Sequence, residues 1–361
     1  MNVGILGCGN ISGQYLRTLS RSRRVRVAAV ADLRSACAEA RAAEFGVPRV
    51  LGPEELLQDP EIDAVLNLTT PRAHFETSLA AIRAGKHVFT EKPLCETPAQ
   101  ARTLLAEADR FGLRVGAAPD TVLGHGIQTA RAAFDAGGLG PCHGGHACWV
   151  APGHEAWHPD PEFYYKPGGG PALDMGPYYI ATLVTILGPV AAVVASAEKT
   201  RPTRTIASGP KRGQTIEVDV PTHTTGLLRF TSGATLSFVL SFDTWATCSE
   251  RIELYARHGT MTVPDPNGFD GPTRVFDGRR EDRSWAEVPA PAGVVPRGRG
   301  AGLVEMADAI REKRPHRCSG AFALHVLDVL FTIERSAAEG RWLDIPSAAD
   351  RPPPLDPAWT V

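Results

Sequence analysis

The stretch Val3-Gly4-Ile5-Leu6-Gly7-Cys8-Gly9-Asn10-Ile11-Ser12 decides the fold class of this chain. Its four apolar residues predict a short buried strand, and the two glycines that follow predict a tight turn into a helix. In a strand–turn–helix of this kind, backbone N–H groups at the start of the helix face a pyrophosphate. Ser12 stands where the GxGxxG pattern has its third glycine, and serine is small enough to keep the helix close to the strand.

The second apolar run, residues 25–31, ends at Asp32, at about the 20-residue interval expected for a ribose-binding carboxylate. A carboxylate there accepts hydrogen bonds from the adenosine ribose and repels a 2′-phosphate, so the sequence favours NAD. Arg34, two residues later, suits a 2′-phosphate, so NADP stays possible. A Rossmann-like turn that binds no dinucleotide is the structural alternative.

Strand-like and helical stretches alternate over the first third of the chain, which predicts βαβ units and a parallel sheet. After about residue 120 the pattern changes to strand-like runs, and Thr231-Ser232-Gly233 predicts a hairpin between two of them. We therefore expect an α/β protein with a dinucleotide-binding Rossmann domain over 1–120. An α+β domain over 121–361, with a mostly antiparallel sheet, is expected to bind substrate. The predicted strands of this second part are 143–150, 190–200, 214–220, 222–230, 234–242 and 250–257.

Composition excludes several classes of function. The 361 residues carry a net charge of −2 without a basic stripe, so nucleic acid is not an expected partner. The seven cysteines are scattered and have no CxxC spacing, which indicates reduced thiols rather than a disulfide framework. No apolar run approaches the ~20 residues that span a bilayer, and the N-terminus has no signal-peptide pattern. The expected location is the cytoplasm.

Glu91-Lys92-Pro93 follows the fourth predicted strand, and ligands of open α/β sheets bind at the carboxyl ends of the strands. A lysine beside a substrate hydroxyl lowers the pKa of that hydroxyl or stabilises an alkoxide during hydride transfer. The alternative is a solvated lysine in a turn.

The segment Gly168–Tyr179 combines three glycines with a helix that we expect to run from Pro171 to about residue 187. Its glycines allow a ligand to approach the backbone closely. Asp174 and Tyr178 are four residues apart and share one helix face, which suits the recognition of a polyol. Pro177 predicts a break or kink near 173–177. The alternative is an aspartate favoured by the helix dipole and a core tyrosine.

His154-Glu155-Ala156-Trp157-His158 matches the HExxH pattern of zinc proteases, but prolines on both sides exclude the helix that this pattern requires. The Cys142–Cys148 stretch also has no standard zinc spacing. We therefore predict no metal site and interpret residues 154–166 as a loop that lines the substrate site; a packed surface loop is the alternative. The candidate substrate residues of this loop are His154, Trp157, His158, Tyr164 and Tyr165.

Taken together, these motifs resemble the glucose–fructose oxidoreductase / inositol 2-dehydrogenase (Gfo/Idh/MocA) family over essentially the whole chain. The resemblance implies a Rossmann domain, a second domain with a large open sheet, and NAD(P)-dependent oxidation or reduction of a sugar or cyclitol. It implies homodimers or homotetramers formed through that sheet. It further implies a catalytic role for Lys92 and substrate binding by Asp174. The residues implied in cofactor binding are Gly7, Gly9, Asn10, Ile11, Asp32, Thr69, Pro71, His74 and Glu91.

One position departs from the family pattern, because Tyr178 stands where the family usually has a catalytic histidine. We expect Tyr178 to exchange the proton with its phenolate stabilised by Lys92. In the alternative, Tyr178 only positions substrate and Lys92 alone handles the proton. Two other functions stay open: a glycosidase that uses NAD as a recycled cofactor, and a non-catalytic regulator that binds a dinucleotide.

Overall fold

The computed structural model describes residues 1–290 and 297–361, and half of the surface loop predicted at 289–300 lies outside the described residues. The described residues form two compact units. Unit 1 contains residues 1–128, 297–327 and 352–361, and unit 2 contains Thr129–Ala290 and Asp328–Arg351. The chain therefore returns to unit 1 after residue 290. The two predicted domains, 1–120 and 121–361, are each one continuous segment and do not contain this return.

Unit 1 is built around the predicted parallel sheet, whose five strands in the described residues follow the order β2-β1-β3-β4-β5. All neighbours in this sheet run parallel. The Gly-rich turn, Asp32, Thr69 and Glu91-Lys92 therefore all lie at the carboxyl edge of one sheet. The strands are β1 (Asn2–Leu6), β2 (Arg26–Ala31), β3 (Ala64–Asn67), β4 (His87–Thr90) and β5 (Val115–Ala117).

Unit 2 carries a sheet of nine strands among the described residues, in the order β15-β14-β13-β12-β6-β11-β10-β7-β16. Its pairs are antiparallel except β6–β11, which is parallel. The predicted hairpin is confirmed, since Arg229 pairs with Thr235 across the turn at 231–233. The strands are β6 (Cys142–Val150), β7 (Val190–Glu198), β8 (Thr203–Thr205), β9 (Thr215–Glu217), β10 (His223–Phe230), β11 (Thr235–Ser241), β12 (Ile252–Ala256), β13 (Gly259–Val263), β14 (Thr273–Asp277), β15 (Trp285–Val288) and β16 (Leu343–Asp344); β8 and β9 form a separate ribbon.

Caps in the sequence mark some of the helix ends. Thr97 and Gln100 form a capping box at the start of α5, and Gly46 and Gly112 end α2 and α5 in left-handed conformation. The helices are α1 (Ser12–Leu19), α2 (Ser35–Phe45), α3 (Pro53–Gln58), α4 (Pro71–Arg83), α5 (Pro98–Phe111), α6 (His125–Asp135), α7 (Gly170–Leu187), α8 (Ala301–Arg311) and α9 (Gly320–Glu339).

The break expected near 173–177 is absent, because α7 continues through Pro177 as one helix of 18 residues. Proline lacks the N–H that would bond to the carbonyl of Leu173, and its ring crowds that carbonyl. The helix packs on β10 and β11 and is buried along most of its length, so packing offsets the lost bond.

Among the described residues, no helix is both long and apolar enough to cross a membrane.

Candidate active site

The Gly-rich turn of unit 1 uses its two glycines differently. Gly7 has φ +98°, and a Cβ there would lie 2.5 Å from the carbonyl oxygen of Leu68, so the fold itself requires glycine. A Cβ at Gly9 would meet no atom within 4 Å. Gly9 and Asn10 are exposed, and Ile11 is the half-buried N-cap of α1. The turn therefore presents accessible backbone at the N-terminus of α1, as a bound pyrophosphate requires.

Asp32 connects this turn to the loop after β2. Its Oδ2 accepts the N–H of Cys8 at 2.8 Å, and its Oδ1 accepts the N–H of Arg34 at 2.9 Å. A carboxylate oxygen has two lone pairs, so each oxygen can accept a further hydrogen bond. Half-buried Asp32 thus fits a ribose diol, which makes the residues of this edge suitable for NAD.

Arg41 is a residue of this site that sequence reasoning missed. The hydroxyl of Ser12 donates to the carbonyl of Gly9 at 2.6 Å, and Nε of Arg41 donates to the same hydroxyl at 3.1 Å. Arg41, on α2, therefore supports the turn through the hydroxyl of Ser12 at the third glycine position. That substitution was the available signal, because a buried hydroxyl needs a partner.

Glu91 is fixed by partners on two sides. Its Oε1 accepts the hydroxyl of Tyr15 at 2.8 Å, and its Oε2 accepts the backbone N–H of Lys92 at 2.9 Å. Burial and the nearby Glu91 carboxylate raise the pKa of Tyr15. Tyr15, on α1, is a second missed residue, because in the sequence it reads only as a buried position of an amphipathic helix. Glu91 therefore joins α1 to the backbone at half-buried Lys92.

The loop after β3 is tied to the same turn through His74. Its Nδ1 lies 2.7 Å from the carbonyl oxygen of Pro93, and its Nε2 lies 3.1 Å from that of Thr69. The ring is buried, and burial lowers the pKa of His74. The Thr69 hydroxyl donates to Oδ1 of Asn67 at 2.6 Å, while Pro71 is exposed at the start of α4. His74 is thus placed to hold the loop, and Pro71 lies at the surface.

In unit 2, α7 places Asp174 and Tyr178 one turn apart on the same helix face, as predicted. Asp174 is half-buried, and Tyr178 is buried. Nε2 of His154 lies 2.9 Å from Oδ2 of Asp174. The structure therefore brings together two residue groups, the loop and the helix, that the sequence analysis had treated as separate motifs.

Aromatic rings surround His154. Its ring centroid lies 4.2 Å from that of Tyr164 and 4.7 Å from that of Phe242, a residue that the sequence analysis did not single out. Trp157 contacts the same ring edge-on at 5.3 Å and is 60% exposed. His158 is half-buried, and burial lowers its pKa. The loop thus carries an exposed indole next to the His154–Asp174 pair.

A buried ionic network holds the loop that contains His154. The fully buried Tyr165 donates its hydroxyl to Glu155 and accepts the backbone N–H of His154 at 3.1 Å. Nη1 of Arg204 donates to Oε1 of Glu155 at 2.8 Å, and the same guanidinium pairs with Asp243. Tyr165 and Glu155 therefore position the loop, whereas Tyr165 has no surface to offer a substrate.

The HExxH residues do not form a helix, because His154–Ala156 is a single 3-10 turn. Within the described ranges, no group of three or more His, Cys, Asp or Glu side chains is arranged to hold a metal ion.

Two family models match the chain. Residues 1–118 match the model described as "Oxidoreductase family, NAD-binding Rossmann fold", and residues 127–262 match the GFO/IDH/MocA C-terminal domain.

Several characterised proteins are similar over part of the chain. A 1,5-anhydro-D-fructose reductase of Ensifer adhaerens is 32% identical over 189 residues, which cover 51% of this chain and 56% of the reductase. Inositol 2-dehydrogenase 2 of Saccharopolyspora erythraea is 40% identical over 116 residues, covering 32% of this chain and 34% of that enzyme. A trans-1,2-dihydrobenzene-1,2-diol dehydrogenase of Bos taurus is 26% identical over 313 residues, which cover 86% of this chain and 87% of the dehydrogenase. The match thus spans about half or less of the first two relatives.

Solved structures share the fold over nearly the whole chain. The apo form of a levoglucosan dehydrogenase superposes with a TM-score of 0.82 at 21% identity, covering 97% of this chain and 99% of the enzyme. The complex of levoglucosan dehydrogenase with NADH and levoglucosan gives a TM-score of 0.80 at 21% identity, with coverage of 96% and 100%. With both domain models matched in order and the expected sheet in each unit, the chain belongs to the Gfo/Idh/MocA family of NAD-binding oxidoreductases.

Proposed function

We propose that this protein transfers a hydride between NAD and a hydroxyl-bearing carbon of a sugar, sugar derivative or cyclitol. The observation that carries the proposal is the position of Lys92 at the carboxyl edge of the parallel sheet that also carries the Gly-rich turn and Asp32. A cation at the edge where a dinucleotide binds suits a reaction in which an alkoxide develops. The similarity to a sugar reductase and an inositol dehydrogenase supports this substrate class.

In this proposal NAD, when bound, supplies the hydride acceptor. Lys92 stabilises the negative charge that develops on the substrate oxygen, and Tyr178 exchanges the hydroxyl proton. Asp174 accepts a hydrogen bond from a substrate hydroxyl. Glu91 and Tyr15 keep the backbone at Lys92 in place, since both oxygens of the buried carboxylate are engaged.

The aromatic loop supports a ring-shaped substrate. Trp157 is 60% exposed and contacts His154, the partner of Asp174, and aromatic side chains pack on the apolar faces of sugar rings. We therefore expect pyranoses and cyclitols to be better substrates than open-chain polyols of the same length.

The preference for NAD follows from Asp32, whose carboxylate repels a 2′-phosphate. The Arg41 guanidinium is already engaged by Ser12 and Glu44. NADP is therefore expected to bind more weakly than NAD. A homodimer or homotetramer formed through the nine-stranded sheet is also part of the proposal, and light scattering in solution measures it.

The test is NADH absorbance after the protein is mixed with NAD and a panel of pyranoses and cyclitols, or with NADH and their keto forms. Net NADH formation from a free sugar supports the proposal. Cleavage of a glycoside without net NADH identifies the glycosidase instead, and tight NAD binding without any turnover identifies a regulator. Tyr178→Phe should lower kcat about 10²-fold or more if Tyr178 exchanges the proton; near-normal turnover would leave that task to Lys92.

A further inference from the structure

We propose that His154 is the positioning residue of Asp174, so that the imidazole of this site comes from the loop before α7 and not from α7 itself. This inference rests on the proposed function and adds to it the residue that orients the substrate-binding carboxylate. The family's histidine position on α7 is occupied by Tyr178. An imidazole nevertheless reaches Asp174, because the 3-10 turn at His154–Ala156 brings Nε2 to within 2.9 Å of Oδ2.

The contact has the geometry of a directional, charge-assisted hydrogen bond rather than an incidental approach. At 2.9 Å the distance lies in the range for an N–H donor and a carboxylate acceptor. The His154 side chain is 9% exposed and that of Asp174 is 16% exposed, so water competes little for either group. A bond that fixes one carboxylate oxygen also fixes the direction in which the other oxygen points.

His154 is held in place independently of Asp174. Its ring packs against Tyr164 and Phe242, with centroid distances of 4.2 and 4.7 Å. Its backbone N–H donates to the hydroxyl of Tyr165 at 3.1 Å. The next residue, Glu155, is bound by Arg204. The imidazole is therefore preorganised before any ligand arrives, which is the requirement for a group that orients another.

A histidine kept only for packing would not explain these observations. Phenylalanine fills a similar aromatic space without the cost of a buried polar atom. In the described part of the chain, Nδ1 of His154 is buried and has no hydrogen-bond partner. A polar ring accepted at this cost, with its other nitrogen on Asp174, is expected where the bond to the carboxylate has a use.

The test uses three substitutions at one position. His154→Gln keeps an N–H donor near the place of Nε2, His154→Asn keeps a polar group near Nδ1 but loses the reach to Asp174, and His154→Phe keeps the ring alone. With the substrate found in the panel, we expect Gln to retain most of kcat. Asn and Phe should lose about 10²-fold in kcat/KM for the sugar, the cost of a misplaced reacting group. The KM for NAD should be unchanged in all three.

Equal activity of the Asn, Phe and Gln variants would overturn the proposal, and so would a loss in all three that follows their melting temperatures. If the His154→Phe variant does not fold, the Gln–Asn pair decides. A wild-type protein that turns over no sugar refutes the proposed function and not this inference. Crystal structures then decide it: Asp174 should keep its rotamer in His154→Gln and change it in His154→Phe, and an unchanged rotamer in both contradicts a positioning role.

Discussion

The two units hold their candidate site residues by different means. In unit 1 the Gly-rich turn is fixed by its backbone geometry and by hydrogen bonds to its backbone, such as the one that the N–H of Cys8 donates to Asp32. In unit 2 the loop at His154 is fixed by side chains that are far apart in the chain, with Arg204 joining Glu155 to Asp243. The first arrangement depends on the conformations of a few residues, and the second depends on burying charges that must pair. Substitutions should therefore break the two sites in different ways.

The largest effect is expected at the turn of unit 1. Gly7→Ala places a Cβ 2.5 Å from a backbone oxygen at φ +98°, so strain and overpacking should together cost about 2–6 kcal/mol in free energy of unfolding. Gly9→Ala is the matched control, because its Cβ meets no atom within 4 Å. It should keep the stability of the wild type and lose affinity for NAD. Urea denaturation measures the stability of each variant, and NAD titration measures its affinity for NAD. Equal stability of the two variants would refute the claim that backbone geometry at Gly7 fixes the turn.

The next effect concerns the network of unit 2. Arg204→Met leaves the carboxylates of Glu155 and Asp243 buried without their guanidinium, which should cost about 3–5 kcal/mol. Lys211→Met, which breaks the exposed pair with Asp160, should leave the denaturation midpoint unchanged. Urea denaturation compares the two, and a small effect of Arg204→Met would mean that the network does not hold the loop.

The buried His316 of unit 1 should make the stability of the protein depend on pH. Burial lowers the pKa of His316 from 6.5 to about 4, and its Nε2 lies 3.0 Å from the carbonyl oxygen of Val115. The unfolded chain takes up this proton below pH ~6.5 and the folded chain only near pH ~4, so stability falls as the pH falls through that window, by about 3 kcal/mol in all. His316→Gln should flatten the wild-type dependence between pH 4 and 6.5 by that amount. Denaturation midpoints across this range measure it, and parallel curves for the two proteins would contradict the assignment.

The smallest effect tests the side-chain hydrogen bond between Tyr15 and Glu91, which links α1 to the turn of Lys92. Tyr15→Phe removes the hydroxyl bonded to Glu91 and should cost about 1–3 kcal/mol, because a buried carboxylate oxygen loses its donor. Tyr255→Phe, at an exposed hydroxyl that donates to Glu253, is the control and should have little effect. A lower kcat in Tyr15→Phe with unchanged affinity for NAD would show that the bond also positions Lys92. Equal stability of the two variants would mean that Glu91 finds another donor.

The same contrast explains what the sequence could predict. Gly7, Asp32 and Glu91-Lys92 lie at the ends of short apolar strands, so their edge follows from the alternation of strands and helices. The contact between His154 and Asp174 has no local signature, because it depends on a turn packed against Phe242, a distant residue. The strands at 259–263, 273–277 and 285–288 were not predicted, since each has only four or five residues and includes at least one glycine or charged residue. The break predicted at Pro177 was wrong, because the burial of α7 outweighed the low helix propensity of proline.

The most direct test of hydride transfer is the fate of a deuterium label on the reacting carbon of a sugar or cyclitol. With NAD and wild-type protein, mass spectrometry should find the deuterium in NADH. Lys92→Met should bind NAD normally and lower the rate of label transfer by about 10²–10⁴-fold. A wild-type protein that binds NAD and transfers no label from any member of the panel, or a Lys92→Met variant as fast as the wild type, would contradict the account.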